Sequence, residues 1–367
     1  MTEWKTYRLG DITIMRNGKK RPNTQGKYPV YGGNGIMDYA DCYNAENTII
    51  VGRVGAYCGN VYQCKNKCWV SDNAISVSAN ELVDDNYLYD LMSSLDFHHH
   101  HIGGAQPLIT QDIIGGFEIF LPPLEEQRRI AGILGAIDDK IENNRRINTN
   151  LELQAQALYK QWFVDNRKDD WEEKQLGEIA LHITDGVHNT VIDSPNGEYY
   201  LLSCKNIKSG QLFIGSNERR IDHETFTKLR KRTRLSQGDI LVTSVGTVGE
   251  MYLVNESPSN YEFQRSVAII KPNQDIISSY FLYAALLYQR NEIKHLAHGA
   301  VQQCIFISDL KEYSFIVPNK NNISAFDEVV APMFNKIGEL QKENEALSTL
   351  RDTLLPKLMN GEIKVTE

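Results

Sequence analysis

The chain has 367 residues, of which 41% are apolar and 23% are charged, a composition typical of a globular protein with two or three domains. It has no run of about 18 apolar residues and no apolar signal core at its N-terminus, which excludes a membrane span and predicts a cytoplasmic protein. The formal net charge of −8 argues against nucleic-acid binding through overall charge, although binding depends on local charge.

The first 121 residues predict a globular domain of mixed, mostly β structure, which we call the first head. Runs of β-branched residues broken by glycine, such as IIVGRVGAYCGNVY at 49–62, predict strands, and NYLYDLM at 86–92 predicts a short apolar helix. The GGNG segment at 32–35 lacks the remainder of a phosphate-binding loop and opens no helix, so it predicts a tight turn. The head ends in a strand that runs into proline, GFEIFLPP.

A long helix with a coiled-coil seam is predicted after this proline. Its apolar residues recur in alternating steps of four and three, the heptad pattern of paired helices. The seam residues that we single out are Ile137, Ile141, Asn148, Leu151, Leu158 and Trp162.

The chain then repeats itself. WEEKQLGEI at 171–179 matches WKTYRLGDI at 4–12, and Pro122 and Pro318 lie 196 residues apart (318 − 122 = 196). The same offset places a second seam in phase with the first, at Met333, Ile337, Asn344, Leu347, Leu354 and Leu358. We predict an α+β chain divided into a first head (1–121), a central helical spacer (122–168), a second head (169–318) and a C-terminal helical spacer (319–367).

Helix length predicts how the two heads are arranged. Residues 125–163 would extend over roughly 58 Å, so the second head is expected about 50–60 Å from the first. An antiparallel two-helix coiled coil would then carry one head at each end, with a pseudo-twofold axis across its middle. Asn148 and Asn344 occupy equivalent seam positions, where a polar residue lowers stability but fixes the register. Two unrelated surface helices are the alternative, which the shared offset disfavours.

Two similar heads at a fixed spacing are typical of a protein that reads two sites on DNA, here a bipartite and asymmetric target. Arg and Lys suit phosphates, and Asn, Gln and Arg suit base edges. Candidates in the first head are Arg16, Lys19, Lys20, Arg21, Asn34, Arg53 and Gln106. Candidates in the second are Lys205, Asn206, Arg219, Arg220, Lys231, Arg232, Arg234, Gln264, Arg265, Gln302 and Gln303. An ordinary surface position is the alternative for each, and a solvated charged loop is the alternative for 219–234.

Four segments resemble the specificity (S) subunits of type I restriction–modification systems. They are YPVYGGNGI (28–36), LPPLEEQRRIAGILGAIDDKIENNRRIN (121–148), LELQAQALYKQWFVD (151–165) and LLPKLMNGEI (354–363). The resemblance implies two target-recognition domains, each reading one half of a bipartite DNA site. One departure is that the second spacer reads PNKNNISAF after its proline, without LEEQ, which predicts different docking side chains there.

The same resemblance implies partner subunits. Two methyltransferase (M) subunits, which make up a DNA N6-adenine methyltransferase, would dock on this chain, and restriction (R) subunits would complete the endonuclease. S-adenosylmethionine, ATP and Mg²⁺ are then expected on those partners, with no cofactor in this chain.

No catalytic or metal site is predicted. An amino-methyltransferase needs Asp or Asn before two prolines and an aromatic residue after them, but 121–124 reads Leu-Pro-Pro-Leu. Asp138, Asp139 and Lys140 have nuclease residue types but fall on the predicted coiled coil. The consecutive residues His98–His101 cannot all face one ion, and the six cysteines form neither C-x-x-C pairs nor a disulfide framework. We expect the cysteine thiols to be reduced, and we expect the histidine run to form a loop near the face that contacts DNA.

The prediction is therefore a non-catalytic DNA-recognition subunit that positions methyltransferase and restriction subunits. The alternative is an adaptor with two protein-binding heads and no DNA role, and a steep salt dependence of DNA binding separates the two. A self-contained nuclease–methyltransferase is disfavoured by the missing motifs.

Overall fold

The structure is a computed structural model that describes residues 4–104, 106–215, 217–299 and 303–365. It divides into two compact units. Unit 1 takes in the described parts of residues 1–142 and 344–367, and unit 2 takes in those of residues 143–343. Each unit combines one β-rich head with stretches of two long helices, which confirms the predicted α+β class.

The first head and the first long helix contain the following elements: β1 (Lys5–Arg8), α1 (Leu9–Ile12), β2 (Thr13–Asn17), β3 (Tyr28–Gly32), β4 (Gly35–Ala40), β5 (Ala45–Gly52), β6 (Val61–Val70), β7 (Ala74–Ala79), α2 (Asp85–Ser94), α3 (Gln111–Gly115), β8 (Glu118–Leu121) and α4 (Leu124–Tyr159). A π-helical turn, Lys160–Asp165, follows α4.

The second head and the last helix contain these elements: β9 (Glu172–Gln175), α5 (Leu176–Ile179), β10 (Ala180–Asp185), β11 (Tyr199–Leu202), β12 (Ile207–Lys208), β13 (Gln211–Leu212), β14 (Arg220–Ile221), α6 (His223–Thr233), β15 (Ile240–Thr243), β16 (Met251–Leu253), β17 (Tyr261–Phe263), β18 (Val267–Pro272), α7 (Ser279–Tyr288), α8 (Arg290–His295), α9 (Ile307–Glu312), β19 (Ser314–Val317) and α10 (Lys320–Met359).

The predicted repeat is visible in the strand order of the two heads. Four strands of the first head, β2-β7-β5-β6, recur as β10-β18-β15-β16 in the second, and all of these neighbours pair antiparallel. In the first head the sheet continues with β3, which pairs parallel to β6, and with the edge strand β4. In both heads the first strand pairs with the last, with Lys5 opposite Leu121 and Glu172 opposite Val317.

The central strand β5 shows why the sequence folds this way. Ile49, Ile50 and Val51 are consecutive β-branched residues, and all three are buried. A strand that is covered on both faces needs an unbroken apolar run rather than alternation. Residues 240–242 of β15 repeat this pattern, and they too are fully buried.

In unit 1 the start of α4 and the end of α10 share the core of the first head. Ile130 and Leu134 pack in one apolar cluster with Leu358 and with Leu88 of α2. Arg129 bonds the carbonyl of Val365, and Asp138 pairs with Arg351. The two segments therefore run antiparallel.

In unit 2 the end of α4 and the start of α10 share the core of the second head. Tyr159 and Phe163 pack with Phe281 of α7 and Phe326 of α10. Asn144 donates to Glu343 at 2.8 Å, so these segments are also antiparallel.

The seam residues predicted from the heptads lie on the inner side of their helices. Ile137, Ile141, Asn148, Ile337, Asn344 and Leu358 are buried. Leu151, Leu158, Trp162, Met333, Leu347 and Leu354 are partly buried. Both polar atoms of the Asn148 amide are buried without a hydrogen-bond partner in the described part of the chain, which agrees with a polar seam residue that lowers stability.

The LEEQ motif contributes to the joint between head and helix. Gln127 is 1% exposed. It donates to the carbonyls of Leu82 and Pro122 and accepts from the backbone of Asp84, the residue that caps α2. In unit 2 the joint has other residues, because the α7 cap Ser278 donates to Asp327 of α10 at 2.7 Å. Gln127 is thus an internal joint residue rather than a docking residue.

We expect Gln127→Ala to destabilise the protein by about 1–2 kcal/mol, because it leaves two carbonyls and one N–H of a buried joint without partners. Gln154→Ala, at an exposed position of the same helix, is the matched control. Urea unfolding of both variants measures the difference, and equal midpoints would contradict the structural role of Gln127.

A partly buried carboxyl on α4, in the part of that helix that packs on the second head, predicts a pH dependence of stability. Burial raises the pKa of Glu152 to about 7, against the opposite effect of Arg290, and Glu250 raises it further. The folded state therefore holds this proton more tightly than the unfolded chain. The contribution of Glu152 to stability should fall as the pH rises from about 4.5 to about 7, by up to about 1.4 kcal/mol per pH unit.

The variant Glu152→Gln keeps an uncharged side chain at every pH, so its stability relative to the native protein should increase across that interval. Unfolding curves recorded between pH 5 and pH 8 measure the difference, with Glu173→Gln at an exposed position of unit 2 as the control. A constant difference between native protein and Glu152→Gln would overturn this assignment.

Candidate DNA interface

Three loops of the first head meet at one end of its sheet and form what we call the first loop edge, residues 52–55, 71–73, 102–104 and 106–108. The N–H of Arg53 donates to the carbonyl of Asn73, and its carbonyl accepts from Ile109, both at 2.9 Å. Gly55 donates to Pro107, also at 2.9 Å. Arg53 is thus held on both sides of its backbone, and its side chain is presented from a rigid frame.

The GGNG turn packs on the first loop edge. Gly32 pairs with Gly35 in the β3–β4 hairpin, so the predicted tight turn is a two-residue turn of Gly33 and Asn34. A Cβ on Gly33 would lie 3.3 Å from the carbonyl oxygen of Val54. Gly35 has a φ of 80°, which favours glycine. The turn brings the exposed Asn34 beside the Arg53 loop.

The basic segment at 16–21 also reaches this edge. Gly18 and Lys19 donate to the carbonyls of Ala74 and Val70, both at 3.0 Å, and a Cβ on Gly18 would lie 1.9 Å from a backbone oxygen of Ser71. Only glycine permits this approach. The candidates Arg16, Lys19, Lys20 and Gln106 are exposed, whereas Arg21 pairs with Asp38 at 3.3 Å.

The second head repeats the same backbone frame at its own loop edge, residues 244–246, 264–266 and 303–304. Ser244 donates to the carbonyl of Ser266 at 2.9 Å and accepts from Ile305 at 2.8 Å. These bonds correspond one by one to those of Arg53 with Asn73 and Ile109. The two edges therefore share a frame and differ in the side chains that the frame presents.

Several candidates of the second head lie at this edge. Arg265 and Gln303 are exposed, and Gln264 is partly buried. Lys205 is close by, because the neighbouring Cys204 donates to the Ser266 hydroxyl at 3.0 Å, and it pairs with Glu218. Gln302 lies outside the described residues. Asn206 is 2% exposed, and its amide bonds the backbone of Ser203 and Phe213, so it has an internal role and is not accessible to DNA.

The segment 219–234 is largely helical rather than a charged loop. Helix α6 begins after the cap Asp222 and ends at Thr233. Arg219 pairs with Asp193, Arg220 lies over the Tyr200 ring at 4.8 Å, and Arg232 bonds Asp185 and the carbonyl of Gly186. These three arginines support the fold. Lys231 and Arg234 are exposed, and in the described ranges no carboxylate pairs with either.

A buried ion pair behind α6 has no signal in the sequence. Glu262 of β17 is fully buried and pairs with Arg230, and its carboxylate also accepts from the Thr233 hydroxyl. Burial raises the pKa of Glu262, while the Arg230 guanidinium acts in the opposite direction. Arg230 also bonds the carbonyls of Pro258 and Tyr261. This cluster fixes α6 against the strand that leads into Gln264 and Arg265.

The histidine run forms a short turn beside the first loop edge. A Cβ on Gly59 would lie 2.7 Å from the backbone nitrogen of His98, and the His98 ring contacts the Cys58 carbonyl. His99 bonds Asp96. Over the described residues, no three His, Cys, Asp or Glu side chains are grouped so that they could hold a metal ion. No described helix has both the length and the apolar character of a membrane span.

Comparison with known proteins defines the class. The family described as type I restriction modification DNA specificity domain matches residues 1–153 and 168–347, which together include both heads and most of both helices. The chain belongs to this family, as the resemblance had implied, and is therefore a DNA sequence-recognition subunit.

Individual relatives agree with the family. The chain is 28% identical to the type I restriction enzyme MjaIX specificity subunit of Methanocaldococcus jannaschii, over 84% of this chain and 76% of the relative. It is 26% identical to the HindI specificity subunit of Haemophilus influenzae, over 71% and 72%. The crystal structure of an S subunit from M. genitalium has a TM-score of 0.59 at 18% identity and covers 99% of this chain and 97% of that one, which supports the fold.

Proposed function

We propose that each loop edge reads one half of an asymmetric, bipartite DNA sequence. The observation that carries this proposal is the shared frame. Arg53 and Ser244 occupy the same hydrogen-bonded position in the two heads. Arg53 is partly exposed, whereas Ser244 is buried and its hydroxyl donates to the carbonyl of Arg265. In the first head an arginine, which suits guanine, stands at this position, whereas in the second head the neighbouring Arg265 and Gln303 are the exposed candidates for base edges. Two heads of one fold would thus select two different half-sites.

Phosphate contacts would surround these base contacts. Arg16, Lys19 and Lys20 flank the first edge. In the second head, Lys231 lies in the last turn of α6, and Arg234 follows that helix. Phosphate contacts set the orientation of a protein on DNA and supply the salt-dependent part of the affinity. The acidic net charge of the chain is compatible with this role if partner subunits supply further phosphate contacts.

We also propose that this chain acts by holding partner subunits in position on the DNA. It would hold two methyltransferase subunits on the selected site, and restriction subunits would complete the endonuclease. S-adenosylmethionine, ATP and Mg²⁺ would bind to those partners. The long helices would set the distance between half-sites, as their length predicts.

Methylation mapping tests the proposal directly. A host lacking other methyltransferases would express this chain with its methyltransferase subunit, and its genome would be sequenced for methylated bases. We expect a single motif with two unlike halves separated by a fixed number of unspecified bases. A continuous or palindromic motif, or methylation that persists without this chain, would overturn the proposal.

A further inference from the structure

One seam position of the last helix carries an arginine where the first helix has an alanine. The offset that aligns the two seams places Arg351 at the position of Ala155. Ala155 is fully buried in the apolar core of unit 2. The side chain of Arg351, in unit 1, is only 18% exposed. An arginine in such a position is unfavourable unless its charge is paired.

Arg351 is paired with two carboxylates from two other elements. Its Nε lies 2.6 Å from Oδ1 of Asp138 on α4, and its Nη2 lies 3.5 Å from Oδ1 of Asp90 on α2. Asp90 is 4% exposed. One guanidinium therefore connects the head helix α2 with both long helices of unit 1.

The buried Asp90 carboxyl depends on the positive charge of Arg351. Burial raises the pKa of Asp90 to about 7, Arg351 acts in the opposite direction, and Asp138 raises it further. Loss of the guanidinium would leave Asp90 buried beside another acid. The three side chains are thus favourable only together, which requires α2, α4 and α10 to keep their relative positions.

The place where the second head packs on the long helices has a different charge arrangement. There the head provides the cation, Arg290, which pairs with Glu250 and bonds the carbonyl of Gly249. The long helix α4 provides the carboxyl of Glu152, on which Arg290 acts. The cation therefore comes from the long helix α10 in unit 1 and from the head in unit 2.

We propose that Arg351 is a positioning residue that fixes the register and angle of the first head on its two helices, and thereby the half-site spacing that the protein accepts. An apolar heptad seam re-forms after a shift of seven residues, about 10.5 Å. The Arg351 cluster does not re-form after such a shift of α10, because Asp90 and Asp138 lie on α2 and α4 and do not move with it. This inference rests on the proposed function for its consequence on DNA.

The main test uses two variants of the full chain in complex with its methyltransferase. Arg351→Met removes the charge, and the double variant Arg351→Met with Asp90→Leu also removes the stranded acid, so that folding is retained. Lys5→Met, at an exposed position of β1, is the control. Methylation would be compared on duplexes with the native spacer and with spacers one base pair shorter or longer.

We expect the preference for the native spacer to fall at least 10-fold in both Arg351 variants, with base discrimination inside each half-site unchanged. Arg351→Lys should recover part of it. A double variant that folds and keeps the native spacer preference would overturn the proposal.

A second readout needs no DNA, which separates this inference from the proposed function. Amide hydrogen exchange in α2 and at the end of α10 should become at least 10-fold faster in the double variant, and exchange in unit 2 should stay unchanged. Unchanged exchange in α2 would contradict the positioning role. A native chain that directs no bipartite methylation would contradict the proposed function alone.

Discussion

Replacing Arg53 by alanine is expected to abolish discrimination at one base pair of the first half-site. Its backbone is fixed by Asn73 and Ile109, so the guanidinium leaves a rigid frame, and no carboxylate is paired with it among the described residues. A bidentate arginine–guanine contact contributes about 1–3 kcal/mol of discrimination. The preference should therefore fall about 10- to 100-fold at that position and change little elsewhere.

Competition binding with duplexes substituted at each position of the half-site measures this effect, using the chain in complex with its methyltransferase. Lys5→Ala is the control for the loss of one positive charge from the first head. If Arg53 instead contacts a phosphate, its loss would weaken binding to all duplexes alike. It would also reduce the slope of log affinity against log salt concentration by about one. That uniform loss is the result that would exclude base reading by Arg53.

Replacing Arg230 by methionine is expected to unfold or strongly destabilise the second head, by about 3–5 kcal/mol. The cost arises because Glu262 is fully buried and would lose its charged partner. The carbonyls of Pro258 and Tyr261 would lose their donor as well. The first head has its own core, so its stability should be unaffected.

Hydrogen exchange, resolved by unit, distinguishes the two heads in this experiment. The double variant Arg230→Met with Glu262→Leu should recover most of the lost stability, because a buried ion pair can be replaced by apolar residues of similar size. Arg234→Met, at the exposed end of the same helix, is the matched control. A single Arg230 variant as stable as this control would show that the buried pair contributes little.

The periodic parts of the fold were predictable because their signals are local. The heptads of α4 and α10 require only that apolar residues recur along one face, and the unbroken apolar run of β5 requires only burial on both sides. The repeat was also predictable, because Pro122 and Pro318 share the offset that aligns the two helical seams. No helix was predicted within 219–234, because its charges masked the apolar face of α6, Phe226 and Leu229, which is buried in the structure.

The binding candidates were predictable only as residue types. Asn206 and Gln303 have similar side chains, yet one is buried within a turn and the other is exposed. Arg230 and Arg234 lie on one short basic segment, but only Arg230 meets a buried carboxylate. The role of Arg230 depends on its contact with Glu262, and the role of Asn206 depends on its contact with Phe213. The residues next to them in the sequence do not reveal these contacts.

The sequence by itself determined that this protein has two similar heads, two long amphipathic helices and the segments of a type I specificity subunit, because repeats and heptads are properties of residue order. The tertiary structure alone decided which side chains the loop edges present and which charges the joints bury. The hydrogen bonds of Arg53 with Asn73 and Ile109, and the contacts of Arg351 with Asp90 and Asp138, join residues far apart in the chain. Such pairings follow from packing, which no local pattern encodes.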